Sequence, residues 1–230
     1  MGVFRLFVMY TYTFLAFSPD RIVLPTGITG SLELVRINQI AAVVEPELAF
    51  ETLQASDERL IQAVLIHDRI IRELFNQTTV LPLRFGTRFV SREKLVEHLE
   101  IHEAAYLKKL IQLTGKAEYP LKLIPAAQPE PSIDATVKGR DYFLAKKQRI
   151  QTQADWQQQQ QMERSRLAQL LAQTDLFFQE AEPNEGIERF YLLSDRQNED
   201  LLLKSLESWQ SVCPHWELSI GEGLPPYHFV

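Results

Sequence analysis

The chain has a single cysteine, Cys213, among 230 residues. One thiol rules out an intramolecular disulfide and fits a reducing cytoplasm. Long apolar runs are also missing. The richest, Val3 to Phe17, breaks at Ser18-Pro19-Asp20, short of the ~20 apolar residues that a membrane helix needs. It holds one early charge, Arg5, and no small-x-small cleavage site follows it, so it does not read as a leader peptide. No basic stripe is present, and the net charge is −6. That balance keeps a protein soluble and argues against general nucleic-acid binding. The small cluster Lys146, Lys147 and Arg149 reads as a solvated helix face.

Catalytic and cofactor motifs are absent as well. Gly221-Glu222-Gly223 opens like a phosphate loop, but Pro225 and Pro226 stand where a helix should begin. No GxxxxGK[ST], HExxH or GxSxG occurs. His98 and His102 lie four apart on an expected helix, near Glu97, Glu100 and Glu103. A zinc site needs three or more converging ligands, so the pair reads as an exposed His98 and a half-buried His102 beside Tyr106. Cys213, followed by Pro214 and His215, sits in no recognisable nucleophile context and reads as a buried structural thiol. No catalytic, cofactor-binding or metal-ligating residue is assigned.

What is present is an α+β pattern. Phe4, Leu6, Val8, Tyr10, Tyr12 and Phe14 alternate at period two, as in a long, buried strand. Leu32–Ile37 and Ile40–Val44 read as two short strands around an Asn38-Gln39 turn. Ser56-Asp57 caps a helix whose stripe is Leu60, Val64, His67, Ile71 and Leu74, ending near Asn76. His67 on that stripe reads as a hydrogen-bonded core histidine. Val80–Phe85 reads as a strand. A second helix runs from Ser91 to a Gly115 C-cap, with Leu95, Leu99, His102, Tyr106, Leu110 and Leu113 as its apolar positions. Ala117–Ile124 alternates again, with Tyr119, Leu121 and Leu123 on one face and Glu118 and Lys122 on the other.

A proline-bearing stretch at 125–136 leads into a long polar helix expected over 138–181, which contains Gln157 to Gln161. Leu167, Leu170, Leu171, Phe177 and Phe178 form its closing apolar stripe. A strand at Ile187–Leu193, a helix at Asn198–Trp209 and a strand through Trp216, Leu218 and Ile220 follow. Two domains are expected, 1–115 and 116–230. Strands alternating with helices in the second imply a sheet with helices packed on it.

The most specific segment is Thr79-Val80-Leu81-Pro82-Leu83-Arg84-Phe85-Gly86-Thr87. Proline marks a strand end, edge or bulge. Arg84 within an apolar run must reach solvent or pair with an acid, for which Glu118 is the expected partner. With His67 upstream, this segment resembles the gas vesicle protein F/L family. The resemblance continues through Gly115, Glu118 and Lys122, through Gly139, Tyr142, Phe143, Leu144 and Lys146, and through Gly223, Pro225, Pro226, Tyr227 and Phe229. Tyr10-Thr11-Tyr12-Thr13 echoes the family's opening strand without its glycine.

The resemblance implies an N-terminal α+β domain and a modified ferredoxin-like C-terminal domain with a helical insertion. It implies a non-enzymatic accessory or minor structural protein of gas vesicle assembly, located at the vesicle in the cytoplasm. Its partners would be the hydrophobic major shell protein and other gas vesicle accessory proteins, with no cofactor, nucleic acid or membrane. The Pro82 strand and the Pro225–Val230 tail are then expected either to contact partners or to lock the fold. A small-ligand protein or enzyme on a ferredoxin-like scaffold is the alternative.

Overall fold

The computed structural model describes residues 8–17, 22–128 and 139–230. The start of the expected first strand and most of the proline-bearing stretch lie outside them. The chain forms two compact units, Met1–Glu118 with Leu224–Val230, and Tyr119–Gly223.

In the first unit β1 (Met9–Ala16) is the central strand. It pairs antiparallel with β3 (Ile40–Pro46), and β3 pairs with β2 (Glu33–Ile37) in a hairpin. Asn38 holds the tight turn at φ +41°, a conformation that asparagine tolerates. On its other side β1 meets β4 (Val80–Pro82) and the short β5 (Arg88–Phe89). Both faces of β1 are buried from Met9 to Leu15. Thr11 and Thr13 therefore turn their hydroxyls onto carbonyls, of Met9 at 3.2 Å and Leu81 at 2.7 Å.

After a single-turn helix, α1 (Phe50–Leu53), two long helices follow, α2 (Asp57–Phe75) and α3 (Arg92–Leu113). Each opens on a serine cap: the Arg59 N–H donates to Ser56 Oγ and the Lys94 N–H to Ser91 Oγ, both at 3.3 Å. Each cap contributes on the order of 1 kcal/mol. The buried face of α2 is Ala63, His67, Ile70, Ile71, Leu74 and Phe75, so Val64 lies just off the stripe expected for it and is exposed. Gly115, at φ +73°, turns the chain out of α3.

The strand expected over Val80–Phe85 stops at Pro82. Proline has no N–H to extend the ladder. Leu83 N–H still reaches the Tyr12 carbonyl at 3.0 Å, after which the chain turns, with Thr87 N–H on the Arg84 carbonyl.

The second unit holds a sheet in the order β7-β8-β6-β9, built from β6 (Lys116–Pro125), β7 (Phe177–Asn184), β8 (Ile187–Asp195) and β9 (Trp216–Ile220). The helices are α4 (Arg140–Ala172) and α5 (Glu199–Val212). The element order is the βαββαβ succession of ferredoxin-like folds. The helix expected to 181 ends at Ala172, and Phe177 and Phe178 belong to β7, paired with Leu193 and Leu192. Gln173 and Thr174 close the last turn through Leu170 and Leu171 carbonyls, and Glu185-Gly186, both at positive φ, make the hairpin turn. Leu167 and Leu171 are fully buried, so the apolar stripe is real up to that point.

Candidate functional site

The residues that carry the family resemblance fall into three places. The first is a buried cluster around His67. Tyr10 from β1 puts its hydroxyl 2.9 Å from His67 Nδ1, and His67 Nε2 lies 3.0 Å from the Leu83 carbonyl. A carbonyl accepts only, so Nε2 carries the proton and Tyr10 donates to Nδ1. Gly86 N–H in turn donates to the Tyr10 oxygen at 3.3 Å. Burial holds the His67 pKa below its ordinary value, against the opposing effect of the Leu83 carbonyl.

The half-buried Phe85 ring packs edge-on to His67 and against Phe50. Gly86 sits at φ +88°, and a Cβ there would press on the Phe50 ring at 3.3 Å, so only glycine suits the position. The core histidine is as expected. Leu81 and Pro82 are buried beside it. Arg84 is exposed on the outside of the turn and, among the described residues, makes no ion pair.

Glu118, the expected partner of Arg84, is taken elsewhere. It is buried and accepts the His228 backbone N–H at 2.8 Å and His228 Nδ1–H at 2.7 Å. Burial raises its carboxyl pKa, against those two bonds. Its backbone exchanges two hydrogen bonds with Leu224, at 2.9 and 2.8 Å. Tyr227 Oη donates to Asp68 Oδ1 at 2.6 Å, and Pro225, Pro226 and Phe229 are buried. The second place is therefore a strap: Leu224–Val230 closes onto the first unit through polar bonds and ring packing. Lys122, further along β6, is exposed opposite Ser219.

The third place is the start of α4, where Tyr142, Phe143 and Leu144 are all exposed.

A fourth cluster was not foreseen. Glu45, buried at the end of β3, collects five donors: Tyr12 Oη–H, Ile28 N–H, Thr29 N–H, Thr29 Oγ1–H and Gly30 N–H. Burial pushes its pKa up, but the bonds from Tyr12, Thr29 and Ile28 outweigh that and hold it below the usual value. A Cβ on Gly27 would collide with this carboxylate. The sequence signal for it is a lone charge ending the apolar run Ile40–Val44, downstream of a Gly-Ile-Thr-Gly turn.

The histidines of α3 reverse their expected roles. His98 is half-buried, with Nε2 2.7 Å from Tyr106 Oη, while His102 is exposed and bonds back to the His98 carbonyl. Cys213 is fully buried and its thiol pKa is pushed up to about 11 by burial. Neighbouring His215 is held by Glu163, which accepts both its Nδ1–H and its backbone N–H. That pair staples α4 to the turn before β9. Among the described residues no three His, Cys, Asp or Glu side chains could hold a metal ion, and no helix is long and apolar enough to cross a membrane.

The model of the family described as gas vesicle synthesis protein GvpL/GvpF matches residues 8–230. The chain belongs to the GvpL/GvpF family. Two solved relatives share its fold. The crystal structure of gas vesicle protein GvpF from Anabaena sp. PCC7120 has a TM-score of 0.69 at 17% identity, over 97% of this chain and 98% of that one. GvpF from Microcystis aeruginosa has a TM-score of 0.62 at 15% identity, over the same shares. No curated protein matches the chain. Within this GvpL/GvpF fold, most of the motif residues around His67 and in the strap are buried or half-buried, whereas Tyr142, Phe143 and Leu144 at the start of α4 present large apolar side chains to solvent.

Proposed function

We propose that this GvpL/GvpF chain is a non-catalytic accessory or minor structural protein that binds the hydrophobic major shell protein, and other gas vesicle proteins, while the vesicle is built in the cytoplasm. The observation that carries this is the family match over residues 8–230. The buried motif residues support a scaffold role: His67, Tyr10 and Glu45 spend their polar atoms on the protein's own backbone and side chains. They leave no free nucleophile or base in that cluster.

For the shell contact we favour the open side of β7. It is an edge strand of the second sheet, and Phe177 on it is 70% exposed. An edge strand offers unpaired backbone groups to an added strand, and an apolar neighbour strengthens that contact. The buried Pro82 strand and the strap are occupied by internal packing.

The test is capture of purified major shell subunit by the immobilised full-length chain, alongside Phe177→Asp. Capture by the wild type and loss in the variant, with unchanged circular dichroism, support the reading. No capture by folded wild type overturns the shell-binding part. Equal capture by both proteins moves the contact away from β7. Truncating the tail is a poor probe of binding, because it also strips Glu118 of its partners.

A further inference from the structure

From Tyr142 to Asp155 every side chain of α4 except Ala145 is exposed. Further along, the Trp156 ring meets His215 at 4.3 Å, and Gln160 donates to the His215 carbonyl at 3.0 Å. About four turns, roughly 21 Å of helix, thus expose nearly all their side chains. A helix of this length is marginal in water on its own and gains its stability from an apolar face that something covers. Phe143 is 71% exposed, Ile150 59%, Leu144 56% and Tyr142 42%. Phe143 and Ile150 lie seven residues apart on one side, with Lys146 and Lys147 between them.

The charge of this segment is opposite to that of the molecule. Residues 140–150 contain Arg140, Lys146, Lys147 and Arg149 against Asp141, a net +3 in a chain of −6, which leaves −9 on the remainder. The same chain displays a matching surface on α2. Ile61, Val64 and Leu65 are 57%, 41% and 58% exposed at i, i+3 and i+4, on the side away from the buried His67 and Ile70. Asp57 and Glu58 form the acidic first turn beside them. One surface is apolar with cations, the other apolar with anions.

We propose that a second copy of this chain covers the exposed first half of α4, docking Phe143 and Ile150 on the Ile61–Val64–Leu65 stripe with Lys146 and Lys147 facing Asp57 and Glu58. The two patches differ, so the contact either repeats head to tail or closes as a reciprocal pair about a twofold axis. A lipid surface fits less well. Tyr142, Phe143 and Leu144 are consecutive and point to several sides of the helix, whereas a helix lying on a membrane is apolar on one side only. The inference is independent of the shell-binding reading and of β7.

The experiment is sedimentation velocity on the full chain across a concentration series, with K146E/K147E, D57K/E58K and their equimolar mixture. Wild type should self-associate, more weakly as salt rises. Each charge-reversed variant should weaken association by roughly tenfold or more, and the mixture should restore it as a mixed complex. Circular dichroism checks that both variants fold. Because lysines at a helix start oppose the dipole, L65E, at an exposed position, serves as a second α2 variant. A wild type that stays monomeric overturns the proposal. So does association that K146E/K147E leaves unchanged, a mixture of folded variants that fails to associate, or binding of anionic phosphatidylserine vesicles in place of self-association.

Discussion

Two stretches that share the family resemblance meet opposite fates. Thr79–Thr87 is drawn into the first unit: Leu81 and Pro82 are buried, Leu83 and Gly86 bond to His67 and Tyr10, and only Arg84 turns outward. Gly139–Lys146 begins a helix whose first turns are exposed, and its aromatic residues face solvent. The first stretch is fixed by hydrogen-bond satisfaction, since a buried polar group left unpaired costs about 1–3 kcal/mol. The second has no such constraint. Family motifs therefore mark two different physical demands, one for architecture and one for surface. The contrast predicts a wide spread in what mutations do to stability.

The largest loss should come from removing residues 224–230. Deletion takes away the Leu224 ladder bonds, the Tyr227–Asp68 bond and both donors to Glu118. A buried carboxylate stripped of its partners costs about 3–5 kcal/mol. The chain has two units, so a single unfolding midpoint is a poor readout. Hydrogen exchange should show β1–β3 amides losing protection while those of β7 and β8 keep it. Equal loss in both units, or none, would contradict the assignment of the strap to the first unit.

Glu45→Ala comes next, at about 3 kcal/mol, because three backbone N–H groups of the Ile28–Gly30 loop and the Tyr12 hydroxyl lose their acceptor. Denaturant titration followed by tyrosine fluorescence checks it. Gln at the same position retains one acceptor oxygen and should recover part of the loss.

His67 gives a pH-dependent version of the same comparison. Its folded pKa lies below the ordinary 6.5, so the unfolded chain takes up a proton first. The stability it contributes is complete above 6.5 and is lost as pH falls below that value toward the folded pKa. Glu118 acts in the opposite sense, its raised pKa favouring the folded state at low pH, so the informative quantity is the difference between wild type and His67→Gln. That difference should shrink steadily as the pH is lowered from 7 to 5. A constant difference would mean that His67 does not stay neutral in the folded protein.

How much of this was legible in the sequence depends on the kind of signal. α2 and α3 were readable because serine caps and 3.6-residue periodicity agree, and β1–β3 because alternation and the Asn38 turn agree. The buried His67 could be read from its place on an apolar stripe. β7 was not legible: Phe177 and Phe178 continue the helical spacing of Leu167 and Leu171, and only pairing with β8, a contact distant from local propensity, makes them a strand. The partner of Glu118 was missed for a similar reason. Arg84 is the obvious cation by charge, yet the acceptor is filled by His228, 110 residues away along the chain. Glu45 carried a signal, a single acid closing an apolar run, but its five donors come from a loop whose shape no periodicity encodes.

The smallest effects should be at Arg84 and Phe143, and they decide whether the contrast between the two stretches holds. Arg84 lies inside the most specific motif, but its side chain is outside the packing and only its carbonyl is used, by Thr87. Arg84→Ala should therefore change stability by no more than about 0.5 kcal/mol, the usual range for an exposed site. Phe143→Ser should match it in the dissociated chain, since a ring 71% exposed gives up little more than an edge contact with Tyr142. If Arg84→Ala instead unfolds the first unit, its guanidinium has a structural partner and the whole of Thr79–Thr87 is architectural. If it leaves the fold intact and reduces capture of the shell protein, Arg84 is a surface residue carried on a buried frame, and the division between architecture and surface runs within the motif, between Leu83 and Phe85.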